Sequence, residues 1–241
     1  MKNCQAIILA AGRGSRMKET TENIPKALLE VNNKTLIGYA IDFVKDIGIK
    51  DIIIVAGYHF EQMEKKIKEI DDKIKIVNNP DFHFQNLVSF AKGLEQIENE
   101  NLLVCNADYV FKKTSAEAVA KNLNGIAVYC SYDLSGDDED VMKVKVDKEK
   151  NLIEMSKKLT DFEAIYTGIW FFEAKYILEL REVVEEILQK EDKNKTAVEI
   201  IFREFVKWGH QIKAADIGKA DWFEIDTPEE LAAARKALSK F

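Results

Sequence analysis

The sequence is poor in cysteine and has no long apolar run. Its three cysteines, Cys4, Cys105 and Cys130, are far apart, and each lies within an apolar, strand-like run. Such an arrangement supports neither a disulfide framework nor a zinc site. Nowhere do about 18 apolar residues follow one another, and the first apolar stretch is short, so neither secretion nor membrane insertion is expected. We therefore expect a cytoplasmic protein with reduced cysteines.

Basic residues are also too few to create a positive field over the molecule. The chain has 35 Lys and Arg against 42 Asp and Glu, a formal net charge of -7, so nucleic acid is not an expected partner. The chain has no internal repeat and no Pro- or Gly-rich linker, and 46% of its 241 residues are hydrophobic. This composition predicts one compact domain over residues 1–241. The acidic residues 136–140 are predicted to form a solvated loop rather than a metal site.

What the sequence does contain is an alternation of short apolar runs with amphipathic stretches. Strands are predicted at residues 6–10, 52–55, 74–77, 102–105 and 126–129, with helices at 36–47 and 60–70. Farther on, residues 141–146 and 152–155 predict a hairpin and residues 164–172 a strand. Helices are predicted at 174–189, 197–207 and 228–238, the last with Thr227 as its N-cap. The pattern predicts an α/β fold with a Rossmann-like mixed, mostly parallel sheet flanked by helices.

A loop with two glycines follows the first predicted strand. Gly12 and Gly14 let the backbone approach a ligand, the N–H groups of the loop can point at phosphate oxygens, and Arg16 adds a positive charge. The loop is not a P-loop, because no Gly-Lys-Ser/Thr follows, and it is not a dinucleotide fingerprint, because Met17 stands where the third glycine should be. A phosphate cradle and a tight strand-to-loop turn both fit the glycine spacing taken alone.

A second motif follows, in which Pro25 fixes the backbone ahead of Lys26, a residue that could reach the same phosphates. Residues 9–16 and 25–28 together resemble the motifs of the nucleotidyltransferase family of sugar-1-phosphate and choline-phosphate nucleotidylyltransferases. The resemblance implies a GT-A-like fold with a nucleotide-binding half, residues 1–135, and an acceptor-binding half, residues 136–241. It implies nucleotide binding by Leu9, Ala10, Ala11, Gly12, Gly14, Arg16, Lys26 and Asn106.

Two aspartates stand at the ends of apolar runs. Asp108 follows the run 102–105, and Asp226 lies between the run 222–225 and the last predicted helix. Ligands of α/β folds bind at the carboxyl ends of strands, and Mg²⁺ held by one or two carboxylates neutralises charge when one phosphate attacks another. Asp226 is also compatible with a helix-start residue that binds backbone N–H groups. The resemblance implies that Asp108 and Asp226 hold Mg²⁺, because the matching aspartates of the family carry the metal.

The acceptor region is the part in which the relatives diverge. The pattern formed by Asn86 and Ser89 at a helix start resembles phosphocholine and inositol-1-phosphate cytidylyltransferases, which implies CTP as the nucleotide. Residues 155–172 are similar to the region in which inositol-1-phosphate cytidylyltransferases carry a lysine and a Thr-Gly pair. Lys157 is also compatible with a solvated turn lysine. The resemblance implies acceptor binding by Asn86, Ser89, Lys157 and Thr167.

The activity that this resemblance implies is transfer of CMP from CTP to a small phosphorylated alcohol or cyclitol, phosphocholine-like or inositol-1-phosphate-like, with release of pyrophosphate. Arg16, Lys26 and Lys157 would be the catalytic residues, with Mg²⁺ as the cofactor. Two alternatives stay open: a uridylyl- or thymidylyltransferase acting on a sugar 1-phosphate, and a non-catalytic nucleotide-binding regulatory protein. A homodimer is compatible with the sequence as well.

Overall fold

The computed structural model describes residues 3–134, 140–218 and 222–238, with residues 18–20 described as backbone alone. The strands are β1 (Cys4–Ala10), β2 (Glu30–Val31), β3 (Lys34–Thr35), β4 (Asp51–Ala56), β5 (Lys75–Asn78), β6 (Asn101–Asn106), β7 (Tyr109–Phe111), β8 (Ile126–Ser131), β9 (Lys143–Val146), β10 (Leu152–Ser156), β11 (Ala164–Phe172), β12 (Lys213–Asp216) and β13 (Trp222–Glu224). The α-helices are α1 (Leu36–Ile47), α2 (Phe60–Ile70), α3 (Asn86–Leu94), α4 (Lys113–Lys121), α5 (Ile177–Lys190), α6 (Glu199–Lys207) and α7 (Pro228–Leu238). Short 3₁₀ helices span Ser15–Thr21, Lys26–Leu28 and Ala174–Tyr176.

Within these residues, nine strands form one mixed sheet. Its order is β10, β9, β11, β6, β1, β4, β5, with β8 paired to β11 and β12 paired to β8. The central strands β6, β1, β4 and β5 are parallel, whereas β11 runs antiparallel to β6 and β8. Strands β9 and β10 form the predicted antiparallel hairpin. The predicted α/β class with a mixed, mostly parallel sheet is confirmed, and the sheet takes strands from both sides of residue 135.

Helices cover both faces of the sheet, which explains why its central strands are apolar throughout. Ile7 and Leu9 of β1 pack in a cluster with residues of α3, α5 and α6, whereas Ala6 and Ile8 pack in a second cluster with α1, α2 and α4. Successive residues of a strand face opposite sides, so a strand buried on both faces needs an uninterrupted apolar run. The helices leave the loops at the strand ends open for ligand contacts.

A small antiparallel sheet lies beside the main one and was not predicted. Its strands β7 and β13 pair Tyr109 with Glu224 and Phe111 with Trp222. A third apolar cluster, which includes Met17, supports this pair of strands. Strands of three residues carry too little periodicity to be recognised, so only the β13 run stood out in the sequence. The pairing brings the segment after Asp108 next to the segment before Asp226, although they are distant in the chain.

Two expectations drawn from composition can be compared with the structure. The cysteines Cys4, Cys105 and Cys130 are all buried and free. Burial raises the pKa of the Cys4 thiol to about 11 and that of Cys105 to about 12, so both stay protonated at neutral pH. No helix in the described ranges is both long enough and apolar enough to cross a bilayer. Of the acidic stretch 136–140, only Asp140 is among the described residues.

Candidate active site

A pocket of about 460 Å³ opens at the carboxyl ends of β1 and β6. Its size lies in the range of small-ligand clefts, and its position is the one at which α/β sheets bind ligands. Leu9 and Asn106, the last lining residues of the two strands, face each other in register. The sequence-predicted site residues that line the pocket are Leu9, Ala11, Gly12, Gly14, Arg16, Lys26, Asn86, Ser89, Asn106, Asp108, Lys157 and Asp226.

The two-glycine loop is held closed by its own backbone and packs directly on Lys26. The carbonyl oxygen of Gly14 accepts hydrogen bonds from the Met17 N–H at 2.9 Å and from the Thr21 hydroxyl at 3.0 Å. Met17, at the position that excluded a dinucleotide fingerprint, is fully buried and anchors the loop in the third apolar cluster. Gly14 has a φ of +71°, and a Cβ there would lie 2.8 Å from the Cβ of Lys26. The loop therefore needs glycine both for its backbone and for the passage of the lysine stem.

Lys26 brings the two predicted metal carboxylates together. Its Nζ donates to Oδ2 of Asp108 at 2.8 Å and also contacts Oδ1 of Asp226. The lysine side chain is only 9% exposed. Burial lowers the pKa of Lys26, but the charges of Asp108 and Asp226 outweigh burial and raise it above the ordinary value. Lys26 is therefore charged in this pocket, and the two aspartates lie on either side of it.

A second set of ion pairs extends from Asp226 toward the predicted acceptor side. Arg16 contacts Asp226 and pairs with Asp140 at 2.8 Å, and Asp140 pairs with Lys157 at 2.7 Å. The hydrogen bond from Lys157, together with the nearby charges, lowers the pKa of Asp140. Positive and negative groups thus alternate across the pocket. We call this row the charge chain; it consists of Asp108, Lys26, Asp226, Arg16, Asp140 and Lys157.

The start of α7 explains why the Asp226 side chain faces the pocket instead of capping the helix. Thr227 accepts from the Glu230 N–H at 3.2 Å, and Glu230 accepts from the N–H groups of Asp226 at 2.6 Å and Thr227 at 2.8 Å. This is a capping box, which satisfies the Glu230 N–H in the first turn and the N–H groups of the two residues before the helix. The carboxylate of Asp226 is therefore left for Lys26 and Arg16. The predicted N-cap role of Thr227 agrees with this geometry.

Replacing Glu230 with Ala is expected to disturb the position of Asp226 without removing a pocket charge. The free energy of unfolding should fall by about 1 kcal/mol through loss of the cap. In the reaction that the sequence resemblance implies, turnover should fall about tenfold, as when a group that orients a ligand residue is lost. Thermal unfolding and pyrophosphate release measure the two effects. Glu229→Ala, an exposed change in the same helical turn, is the matched control, and equal behaviour of the two variants would contradict this role of Glu230.

The pocket is also lined by acidic and aromatic residues to which the sequence analysis assigned no role. Burial and the negative charges of Asp108 and Asp226 raise the pKa of Glu224 to about 8. Residues i and i+2 of an extended strand face the same side, so the spacing of Glu224 and Asp226 was a usable signal. Asp140 had no such signal, because an acidic run usually marks a solvated surface. The unassigned lining residues include Tyr109, Asp140, Tyr166, Glu199 and Glu224.

The residues around Lys26 fit a divalent cation. Asp108 and Asp226 supply two carboxylates around Lys26, and Glu224 adds a carboxyl group to the same pocket lining. Oδ1 of Asp108 is buried and has no hydrogen-bond partner among the described residues. In the part of the chain that the structure describes, no three or more His, Cys, Asp or Glu side chains are arranged as a metal site. Mg²⁺ is commonly held by only one or two carboxylates together with phosphates and waters, which matches this donor set.

Asn86 and Ser89 line the pocket, and both also make structural hydrogen bonds. Oδ1 of Asn86 accepts from the Val198 N–H at 3.0 Å, which joins the start of α3 to the residue before α6. The Ser89 hydroxyl accepts from Nδ2 of Asn79 at 2.9 Å. In these two bonds both side chains act as acceptors, and an amide and a hydroxyl also carry donor hydrogens, so both have the chemistry to donate to a ligand.

Two predicted site residues, Ala10 and Thr167, are not among the residues that line the pocket. Thr167 is fully buried, and its hydroxyl donates to the Tyr129 carbonyl oxygen at 2.9 Å. It lies at an irregularity of β11, next to Gly168 with a φ of +72°. A Cβ at Gly168 would lie 2.8 Å from the Tyr109 ring and 3.0 Å from the Asn106 amide. In this structure the Thr-Gly pair lies next to the pocket lining, because Gly168 packs against Tyr109 and Asn106, which line the pocket.

Comparison with known proteins identifies related sequences and structures. Residues 6–146 match the MobA-like NTP transferase domain. The bifunctional IPC transferase and DIPP synthase of Aquifex aeolicus is 30% identical over 240 residues, 98% of this chain but 52% of the relative, so the chain spans about half of that protein. The choline-phosphate cytidylyltransferase of Streptococcus pneumoniae is 37% identical over 156 residues, 62% of this chain and 66% of the relative. The structure of the inositol-1-phosphate CTP transferase from T. maritima superposes with a TM-score of 0.85 at 21% identity, covering 98% of this chain and 95% of that one.

Proposed function

Because the chain belongs to the MobA-like NTP transferase domain family, we propose that it is a cytidylyltransferase that transfers CMP from CTP to a small phosphorylated alcohol or cyclitol and releases pyrophosphate. The family binds a nucleoside triphosphate and a phosphorylated acceptor, and its members generally use a divalent metal. Two of the relatives carry cytidylyl or CTP transfer in their names, which supports CTP. The finer assignment of nucleotide and acceptor is our proposal.

The observation that carries the proposal is the charge chain. Lys26 packs against Gly14 of the two-glycine loop and contacts both Asp108 and Asp226, so one pocket brings together the loop that is proposed to bind phosphate, a buried ammonium group and a carboxylate pair. Transfer between two phosphates needs these elements, because both reactants are anions. Lys157, at the other end of the charge chain, lines the same pocket as Asn86 and Ser89 and would supply a cation for the acceptor phosphate.

In the proposed reaction, Arg16 and Lys26 bind the triphosphate, and Lys157 orients the acceptor phosphate. An acceptor oxygen forms a bond to the α-phosphorus, the bond between that phosphorus and the α–β bridging oxygen breaks, and the electron pair leaves with pyrophosphate. No protein nucleophile is needed, so these residues act by positioning and by stabilising charge. A divalent cation held by Asp108 and Asp226 would neutralise phosphate charge.

A matrix of nucleotides and acceptors tests the proposal. The purified protein is incubated with CTP, UTP, dTTP, ATP or GTP and a phosphorylated acceptor, with Mg²⁺, and pyrophosphate release is measured. The acceptors are phosphocholine, inositol 1-phosphate and sugar 1-phosphates. We expect release with CTP and with phosphocholine or inositol 1-phosphate. Preference for UTP or dTTP with a sugar 1-phosphate would replace the assigned substrates, and nucleotide binding without release for any pair would indicate a regulatory protein.

A further inference from the structure

The ammonium group of Lys26 lies between the two carboxylates that are proposed to hold the metal ion. Its Nζ lies 2.8 Å from Asp108 and contacts Asp226, whose side chains are 29% and 13% exposed. The lysine follows Pro25 and begins a 3₁₀ helix, and Gly14 packs against its stem, so its ammonium is directed at the pair by the backbone around it. In this position the ammonium neutralises much of the charge that would attract a metal ion.

In this geometry Lys26 can pair either with the two aspartates or with a bound triphosphate. Departure of Lys26 is unfavourable unless another cation replaces it, because Asp108 would then lose its cationic partner among the described residues and Asp226 would keep only Arg16. A divalent ion, in turn, cannot take both carboxylates while the ammonium stays between them. A triphosphate offers Lys26 a new anionic partner, and the metal ion then compensates the carboxylates. Each ligand therefore removes the obstacle to the other.

We infer that Lys26 changes partners from Asp108 and Asp226 to the triphosphate, and that this exchange makes the divalent ion bind weakly unless the triphosphate binds with it. The inference rests on the proposed function of the same pocket and adds a positioning role for Lys26. Arg16 does not share this role equally, because it contacts only Asp226 of the pair and its side chain is 52% exposed. Among the ion pairs of the described residues, Lys26 alone bridges Asp108 and Asp226.

The binding of Mn²⁺ to the protein without nucleotide tests the exchange. Free Mn²⁺ is followed by electron paramagnetic resonance at fixed pH for the wild type, Lys26→Met and the control Lys45→Met, which removes a surface lysine paired with Asp71. Lys26→Met should bind Mn²⁺ at least about tenfold more tightly than the wild type does, because the competing ammonium is gone. Lys45→Met should match the wild type. Equal Mn²⁺ affinity of Lys26→Met and the wild type would overturn the inference.

A second measurement uses the wild type alone and decides the question even if Lys26→Met does not fold. Water-proton relaxation distinguishes Mn²⁺ on the protein from Mn²⁺ on free tripolyphosphate. Enhanced relaxation is expected with Mn²⁺ and tripolyphosphate together and not with Mn²⁺ alone, and full enhancement with Mn²⁺ alone would refute the exchange. Neither measurement needs an acceptor or turnover, so the outcome is independent of whether pyrophosphate is released.

Discussion

Turnover of Asp108→Asn is expected to be about a thousandfold lower than that of the wild type, with the fold retained. The carboxylate stands at the end of β6, its Oδ1 is buried with no hydrogen-bond partner in the described ranges, and its Oδ2 accepts from Lys26. An amide has no charge to offer a divalent ion, and loss of several kcal/mol of charge stabilisation corresponds to this factor. Lys26 keeps Asp226 as a partner, so it is not left unpaired. Pyrophosphate release with saturating substrates measures the effect.

The matched control for this change is Asp161→Asn. Asp161 pairs with Lys145 at 2.6 Å, but its side chain is 77% exposed and is not part of the pocket lining. Exposed pairs contribute about 0–1 kcal/mol, so this variant should keep both its melting temperature and its turnover. Circular dichroism and thermal unfolding establish that Asp108→Asn is folded. Wild-type turnover by a folded Asp108→Asn variant would contradict the metal-binding role proposed for Asp108.

Gly14→Ala is the second change for which a large loss of turnover is expected, about a hundredfold. The added Cβ would lie 2.8 Å from the Cβ and 2.9 Å from the Cδ of Lys26, closer than carbon atoms can approach. The lysine stem must move, and a misplacement of about 1 Å in a catalytic site costs about this factor. The φ of +71° adds about 1 kcal/mol of backbone strain.

Gly125→Ala separates the collision from the strain. Gly125 also has a positive φ, of 59°, but a Cβ there would meet no atom within 4 Å. Both variants should lose stability through backbone strain, and Gly14→Ala should lose more because of the collision, as measured by denaturant unfolding; only Gly14→Ala should lose turnover. Equal turnover in the two variants would mean that the position of Lys26 does not depend on the loop.

Much of the fold could be predicted because periodicity and turn residues mark long elements clearly. Buried parallel strands such as β1 and β6 require uninterrupted apolar runs, and the amphipathic helices repeat their apolar residues regularly. The smaller sheet of β7 and β13 was not predicted, because strands of three residues that are far apart in sequence leave no such pattern. The position of Asp108 at a strand end was predictable for the same reason that β6 was.

The contacts within the pocket were less predictable than its residues. The sequence predicts that Lys26 binds phosphate, yet it does not reveal that the lysine pairs with both aspartates. Asp140 was interpreted as part of a solvated acidic loop, and the structure pairs it with Arg16 and Lys157. Such pairings depend on distances between segments remote in sequence, which one-dimensional patterns do not encode.

The pairing of β7 with β13 brings Asp108 together with an aspartate that follows every described strand of the main sheet in chain order. Every described strand of the main sheet, up to β12, leaves the ribosome before Asp226 does. A nascent chain can therefore assemble both faces of its core while it still lacks the segment that faces Asp108. The pocket gains its full set of charges only after α7 has been synthesised and its capping box has formed.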